Sequence, residues 1–285
     1  MNGKTNSLLR QRFEKFMYNR LAVVGFLMML LIILACVCAP LFTSYDPTFI
    51  DVSLKELPPS RDHLLGTDRL GRDIFARLLY GGRVSIWIGM ASAVGAGVIG
   101  VVLGCISGYF GGTLDQVLIY ISEIFMTFPR TLLVLICVGL VGQSTANIIW
   151  IFILTSWAGT MRIVRGKILS LKEEAFVESC KANGVSGWSI MFRHLLSNTL
   201  GPVIVDMTLS VAGCILAEAG LSFLGMGVAP DVPTWGNIIN AAKRLDIIQN
   251  IPLLWISPGL AISLFVLSIN FFGDGLRDVF DPSQQ

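Results

Sequence analysis

Four ionisable side chains lie inside strongly apolar stretches of the sequence: Glu123, Arg130, Asp206 and Glu218. A charge inside a lipid-embedded helix is costly, so such residues usually face a bundle interior or a water-filled path, or pair with one another. For Glu123 and Asp206, a pathway or gate role and buried structural pairing are equally open. Glu123 and Arg130 lie seven positions apart, which predicts a shared face of one helix, and Pro129 between them predicts a kink. We take these five residues as pathway or gate candidates, and the sequence leaves open which acid Arg130 meets.

The other reactive side chains form no recognisable catalytic or metal site. The six cysteines include no CxxC or Cys/His pair, and five of them lie in apolar runs, so we expect them to act as small hydrophobic residues. Neither His63 nor His194 lies in an apolar run beside a nucleophile. The chain also lacks a Walker A sequence, GxxxxGK followed by Ser or Thr, that would cradle phosphate. We therefore predict no enzyme activity, no metal site and no bound cofactor.

The composition is typical of a membrane protein. Of 285 residues, 54% are hydrophobic and 14% are charged, and the mean hydropathy is +0.71. The apolar runs lack the alternation of barrel strands, so they are predicted to be helices. The first run is too long for the apolar part of a signal peptide. We predict an all-α integral membrane protein with six transmembrane helices, at 21–42, 86–108, 116–141, 148–164, 200–223 and 253–272.

The distribution of Lys and Arg predicts the orientation of these helices. With the N-terminus inside, the inner segments carry more of these residues than the outer segments, which favours cytoplasmic termini. The expected organisation is a cytoplasmic tail at 1–20, a first helix at 21–43, an outer loop at 44–84, a five-helix domain at 85–274 with a long inner loop at 166–198, and a cytoplasmic tail at 275–285.

Two stretches predict the surroundings of the second transmembrane helix. GRDIFARLLYGGR places Ile74, Phe75, Leu78 and Leu79 on one side, with Arg72 and Arg77 elsewhere, which predicts an amphipathic helix lying in the membrane interface before the second span. Within the span, small residues recur every four positions at Ser92, Ala96, Gly100, Gly104 and Gly108. This ladder predicts close packing against another helix.

The inner loop contains the stretch VESCKANGVSGWSIMFRHL at 177–195, which predicts a helix, a glycine turn and a second helix. DNA binding is disfavoured because the segment has few basic side chains and both its ends are tethered to membrane spans. A simple connector and a docking element remain. Small side chains beside the turn, at Ser179, Cys180, Ala182 and Gly184, would let a partner approach closely. We favour the docking element.

The same stretch, extended to EEAFVESCKANGVSGWSIMFRHLLSN, resembles the EAA loop of ABC-importer permeases. Glu178-Ser179-Cys180 stand for Glu-Ala-Ala, and Gly184 has the family's spacing. Ser197 replaces the family's usual proline, so we expect the second helix to run on towards the fifth span. The resemblance implies that ATPase subunits dock at Glu174, Ala175, Glu178, Ser179, Cys180, Ala182, Asn183, Gly184 and Val185.

Three further motifs resemble the C-type permeases of the peptide and nickel branch of this family. They are LGTDRLGRDIFARLLYGGRVS, EAGLSFLGMGVAPDVPTWGNII and GDGLRDVFDP. The resemblance implies a type I ABC importer permease fold in a bacterial cytoplasmic (inner) membrane. It also implies a heterodimer with a B-type permease, two ATPase subunits that bind ATP and Mg, and an extracytoplasmic solute-binding protein. Pro230, Pro233 and Trp235 become candidate contacts for the binding protein, with an aromatic interface anchor an equal alternative for Trp235.

The expected function is that of a permease subunit in an ATP-driven importer for di- or oligopeptides, forming half of the translocation pathway. A nickel or metal-chelate importer of the same family is the alternative. A membrane channel or sensor that needs no ATPase is a more distant alternative. No nucleic-acid partner is expected.

Overall fold

The structure, a computed structural model, describes residues 14–280; helices are its regular elements, and no β-strand occurs among these residues. Five helices are long and apolar enough to cross a membrane, and one bent pair could supply a sixth span. The principal helices are α1 (Arg20–Val37), α2 (Ile74–Phe110), α3 (Gly112–Thr127), α4 (Arg130–Val141), α5 (Thr145–Leu171), α6 (Ala175–Ala182), α7 (Gly187–Phe223), α8 (Trp235–Ala241) and α9 (Leu253–Phe280). The all-helical membrane architecture is therefore confirmed.

The predicted third span is broken rather than kinked. Helices α3 and α4 meet at an angle of 90°. Phe128 and Pro129 between them are both extended, with ψ of 139° and 116°. Proline has no amide hydrogen and excludes the preceding residue from the helical region, so the chain turns here. The prediction that Glu123 and Arg130 share one helix face is consequently wrong, because they belong to different helices.

The second span begins earlier than the sequence predicts. Helix α2 is continuous over Ile74–Phe110, and its N-terminal residues Ile74, Arg77 and Leu79 are buried within the protein. The prediction of a separate interfacial helix there is therefore wrong. At about 1.5 Å per residue the helix is roughly 55 Å long, which exceeds the ~30 Å of bilayer hydrocarbon. Its end instead packs under the outer loop.

Other boundaries shift as well: α7 begins 13 residues before the predicted fifth span, and α5 ends seven residues beyond the predicted fourth span. Helix α9 runs to Phe280, beyond the predicted end of the span. Of the predicted tails at 1–20 and 275–285, residues 1–13 and 281–285 lie outside the described residues. Charged side chains of the outer loop pack against the start of α2, where Asp68 accepts a hydrogen bond from Arg72 at 2.7 Å and lies 3.9 Å from Arg77.

The small-residue ladder of α2 packs against α5, as predicted. A Cβ atom added at Gly100 would lie 2.7 Å from the Cβ of Thr160, and one at Gly104 would lie 2.6 Å from the carbonyl oxygen of Met161. Such distances leave no room for a side chain, so the two helices are in backbone contact. Helix α2 also supports α7, since a Cβ at Gly89 would lie 2.6 Å from Ile215. Thus α2 forms a common support for α5 and α7.

Candidate functional site

Helix α6 and the start of α7 form the predicted helix pair. Val177 is fully buried in an apolar cluster with residues of α2, α5 and α7, namely Cys105, Val164, Ile168, Ile190, Met191 and Leu195. The opposite side of α6 is exposed and consists mostly of small or polar residues, including Glu178, Ser179 and Ala182, although Phe176 is exposed as well. The pair therefore has an apolar underside that contacts three spans and a free outer face of small side chains.

The turn between the two helices has the predicted left-handed residue. Gly184 has φ of +72°, and its amide donates to the carbonyl of Lys181 at 3.0 Å. The amide of Val185 donates to the carbonyl of Cys180 at 3.0 Å. These two bonds form a Schellman motif, which fixes the direction of the chain as it leaves α6. Cys180 and Val185 are half-buried against the apolar cluster, whereas the other predicted docking residues are exposed: Glu174, Ala175, Glu178, Ser179, Ala182, Asn183 and Gly184.

The second helix of the pair is the start of the fifth span. Gly187–Phe223 is one continuous helical segment with a π-helical turn at Ile190–Leu195. The helix continues across Ser197, as the missing proline predicts, and the Ser197 hydroxyl donates to the carbonyl of Arg193 at 2.7 Å. In the chain, α6 directly follows α5 and directly precedes α7. A force on the helix pair therefore acts on both of these spans.

The pathway candidates occupy four different environments. Glu123 is exposed on α3, with 56% of its side chain accessible, and it pairs with Arg162 of α5 at 3.3 Å. Arg130 is the first residue of α4, and its guanidinium contacts the sulfur of Cys214 at 3.4 Å and lies 5.3 Å from the ring of Phe152. Within the described residues no carboxylate lies within 4.0 Å of Arg130, so it pairs with neither acid that the sequence left open.

Asp206 and Glu218 belong to α7 but differ in their surroundings. Asp206 is half-buried and accepts a hydrogen bond from Thr160 of α5 at 2.6 Å. Glu218 is fully buried and accepts hydrogen bonds from Ser222 at 2.7 Å and Ser85 at 3.3 Å. The Ser85 hydroxyl in turn accepts a hydrogen bond from the backbone amide of Trp235 at 3.1 Å. These hydrogen bonds together join α2, α7 and α8. Glu218 therefore has the contacts of a structural group.

Two cavities lie along the groove between α5 and α7. The inner cavity, nearer α6, has a volume of about 410 Å³ and is lined by Ile163, Lys167, Pro202, Val205, Asp206, Leu209, Arg277 and Phe280. The Arg130 cavity, also about 410 Å³, is lined by residues of α2, α3, α5 and α7 and by the break at Pro129, among them Arg130, Thr160 and Ser210. Thr160 lines one cavity and Asp206 the other, so their hydrogen bond separates the two.

The predicted binding-protein contacts are only partly accessible. Pro230 is exposed, whereas Pro233 is buried and Trp235 is 1% exposed. The indole of Trp235 donates to the carbonyl of Leu78 at 3.0 Å, and its ring packs edge-on against Phe265. A buried indole cannot reach a partner or a membrane interface, so Trp235 is a core residue in this conformation and both sequence interpretations of it are wrong.

Sequence reasoning missed the hydroxyl side chains of the α5–α7 groove. Ser156 and Thr160 line the Arg130 cavity, and Lys167 and Arg277 line the inner one. The pattern that could have revealed them is the TSWAGT sequence at 155–160, where small and polar residues interrupt an apolar run. Such residues in a span also serve helix packing, so the pattern alone does not distinguish the two uses.

Comparisons with known proteins agree with this architecture. Residues 100–285 match the family described as "Binding-protein-dependent transport system inner membrane component". Residues 7–59 match the "N-terminal TM domain of oligopeptide transport permease C".

Among curated relatives, the oligopeptide transport system permease protein of Bacillus subtilis is 38% identical over 99% of this chain and 92% of its own length. The dipeptide transport system permease protein of Alkalihalophilus pseudofirmus is 38% identical over 97% and 90%. The glutathione transport system permease protein of Pectobacterium atrosepticum is 36% identical over 96% and 90%. With its helices, its exposed helix pair and these matches together, the chain belongs to the family of binding-protein-dependent transport system inner membrane components, and it is a multi-pass transport subunit rather than an enzyme.

Proposed function

We propose that this chain is the permease subunit of an ATP-driven importer for short peptides and forms half of the translocation pathway. The relatives named above carry peptide and glutathione transport names, which does not favour the nickel alternative. The observation that carries the proposal is the placement of both cavities between α5 and α7, the two spans joined by the helix pair. A contact on the pair can thereby change the shape of the groove.

The proposed assembly contains a second, B-type permease, two ATPase subunits that bind ATP and Mg, and an extracytoplasmic solute-binding protein. The exposed face of α6 is the ATPase docking surface, and both chain termini are cytoplasmic in this arrangement. ATP-driven closure of the ATPases displaces the helix pair. The Thr160–Asp206 contact then separates the outward and inward halves of the pathway, so that access alternates between the two sides.

Reconstitution tests the function directly. The chain, the second permease, both ATPases and the binding protein are placed in proteoliposomes, and uptake of a labelled dipeptide is measured with ATP at the ATPase side. Uptake should require ATP and binding protein, and it should vanish when the partner ATPases carry an inactivating Walker B substitution. Peptide flux without ATP would support a channel, and uptake of a nickel chelate in place of dipeptides would overturn the substrate class.

A further inference from the structure

The Arg130 cavity contains polar atoms that have no partner. Three buried side-chain polar atoms lack a hydrogen bond among the described residues: Arg130 Nε, Ser156 Oγ and Ser92 Oγ. Arg130 and Ser156 both line this cavity. Buried polar groups are nearly always hydrogen-bonded, so two orphaned atoms in the wall of one cavity indicate that something else completes them.

Among the described residues, no negative charge compensates that of Arg130. Its guanidinium contacts the sulfur of Cys214 and the ring of Phe152, and neither of these carries a negative charge. The two acidic residues of α7, Asp206 and Glu218, are hydrogen-bonded to other side chains. An unpaired cation inside a membrane bundle is costly and marks a functional position. The missing partner should therefore be an anion.

The geometry of the cavity selects the kind of anion. A guanidinium presents a planar fork of N–H donors that matches a carboxylate. The cavity volume of about 410 Å³ falls within the range of sites for small molecules. Ser156 and Ser210 also contribute hydroxyl groups to the lining, and no hydrogen bond occupies the Ser156 hydroxyl. The hydroxyls of Thr155 and Thr160 line the cavity too, but they already donate to the Ile151 carbonyl and to Asp206. A short peptide has one group of this chemistry in every sequence, its terminal α-carboxylate.

We propose that Arg130, assisted by Ser156, binds the α-carboxylate of a peptide as it passes through the Arg130 cavity. This inference rests on the proposed function, because it takes a peptide to be the solute. It assigns the permease a recognition step that any peptide satisfies, whatever its side chains. A carboxylate of the second permease is the competing partner for Arg130, and the experiment below separates the two.

The experiment compares alanyl-alanine with its C-terminal amide, which lacks the negative charge. Uptake is measured in proteoliposomes that contain the complete importer, with each peptide at a concentration that saturates the binding protein. The variants are Arg130→Gln, Arg130→Lys and Ser156→Ala. Arg244→Gln serves as a matched control, because Arg244 is an exposed arginine paired with Asp246 at 3.0 Å, away from the cavity.

Arg130→Gln should lower uptake of the free peptide about tenfold, the loss expected for one charge-assisted hydrogen-bonded contact, and leave uptake of the amide unchanged. Arg130→Lys should restore part of the loss, Ser156→Ala should give a smaller loss of the same selectivity, and Arg244→Gln should not alter the ratio of the two peptides. Equal losses for both peptides, with less second permease copurifying, would assign Arg130 to a subunit contact and overturn the proposal. Unchanged uptake of both would also overturn it. Failure of the wild-type importer to take up either peptide would instead refute the proposed function.

Discussion

Gly184 provides a direct test of the coupling role of the helix pair. It has φ of +72°, a conformation that side chains with a Cβ adopt at a cost. A Cβ atom added there would meet nothing within 4 Å, so a substitution has no steric neighbour and its cost is conformational alone. For the β-branched Gly184→Val, that cost is about 1–2 kcal/mol. It acts on α6, a helix of eight residues whose buried anchor is Val177.

The strain should be relieved locally, by loss of the Schellman bonds at the end of α6, because the spans are stabilised by far larger interfaces. A change of this size shifts an equilibrium about 5- to 30-fold. We therefore expect Gly184→Val to leave the protein inserted and paired with the second permease, while ATPase binding weakens by that factor. The assay measures ATPase stoichiometry in the purified complex and stimulation of ATP hydrolysis by loaded binding protein.

Gly184→Asn is the matched control. Asparagine is similar in size to valine but tolerates the left-handed region, so this variant should dock and respond nearly as the wild type does. Equal behaviour of the two variants, whether both are normal or both are defective, would show that backbone conformation at this turn does not set ATPase docking. The coupling argument built on Gly184 would then fail.

Three other predictions concern packing, the buried acid and orientation. Gly104→Ala should lower the thermal stability of the complex, because the added Cβ atom would lie 2.6 Å from a carbonyl oxygen of α5. Gly159→Ala is the control: its Cβ atom would have nothing within 4 Å, so stability should stay unchanged or rise. Equal melting temperatures for the two variants would refute the close contact between α2 and α5. Glu218→Ala should destabilise the protein by about 1–3 kcal/mol, because it leaves the hydroxyls of Ser85 and Ser222 without their acceptor. Glu218→Gln keeps an acceptor and should retain most of the stability. A stable Ala variant that fails in transport would make Glu218 a pathway residue. An impermeant thiol reagent should label a cysteine placed at the half-buried Asp51 in intact cells and should not label one at the exposed Asn183. The reverse result would invert the proposed topology.

The sequence predicts the spans well because each apolar run is a local property. The small-residue ladder of α2 is equally local, and its packing partner needed only to be another helix. The left-handed turn at Gly184 is also local, since the turn type depends on residues within α6 and just after it. These features follow from spacing and residue type alone.

The errors come from contacts between residues far apart in the chain. Trp235 has the composition and loop context of an exposed anchor, yet its indole bonds to Leu78, which lies 157 positions away. Arg77 has a pattern suited to a membrane surface, yet Asp68 and the carbonyl of Pro47 bury it. Pro129 indicates a bend, but whether the bend is a kink or a break depends on what surrounds it. The unpaired state of Arg130 is likewise a tertiary property.

The packing also predicts which contact between helices changes during transport. Glycines of α2 lie against the backbone of α5 and against the side chains of Ile215 and Met207 on α7, and such close contacts cannot open without being lost along the length of the helices. The groove between α5 and α7 instead contains two cavities and the hydrogen bond from Thr160 to Asp206. The helix pair joins these same two spans. Motion of the pair should therefore open and close the α5–α7 groove while α2 stays fixed.

Cross-linking tests this assignment. In a Thr160→Cys, Asp206→Cys double variant, a short bifunctional thiol reagent should join α5 to α7 and abolish uptake, while subunit stoichiometry stays normal. Each single variant treated with the same reagent controls for loss of the Thr160–Asp206 bond and for modification of native cysteines. A reducible reagent should allow uptake to recover to the level of the untreated double variant. If the cross-linked protein transported peptide as fast as its untreated form, the α5–α7 groove could not be the part that opens and closes. The movement that alternates access would then have to occur at the interface with the second permease.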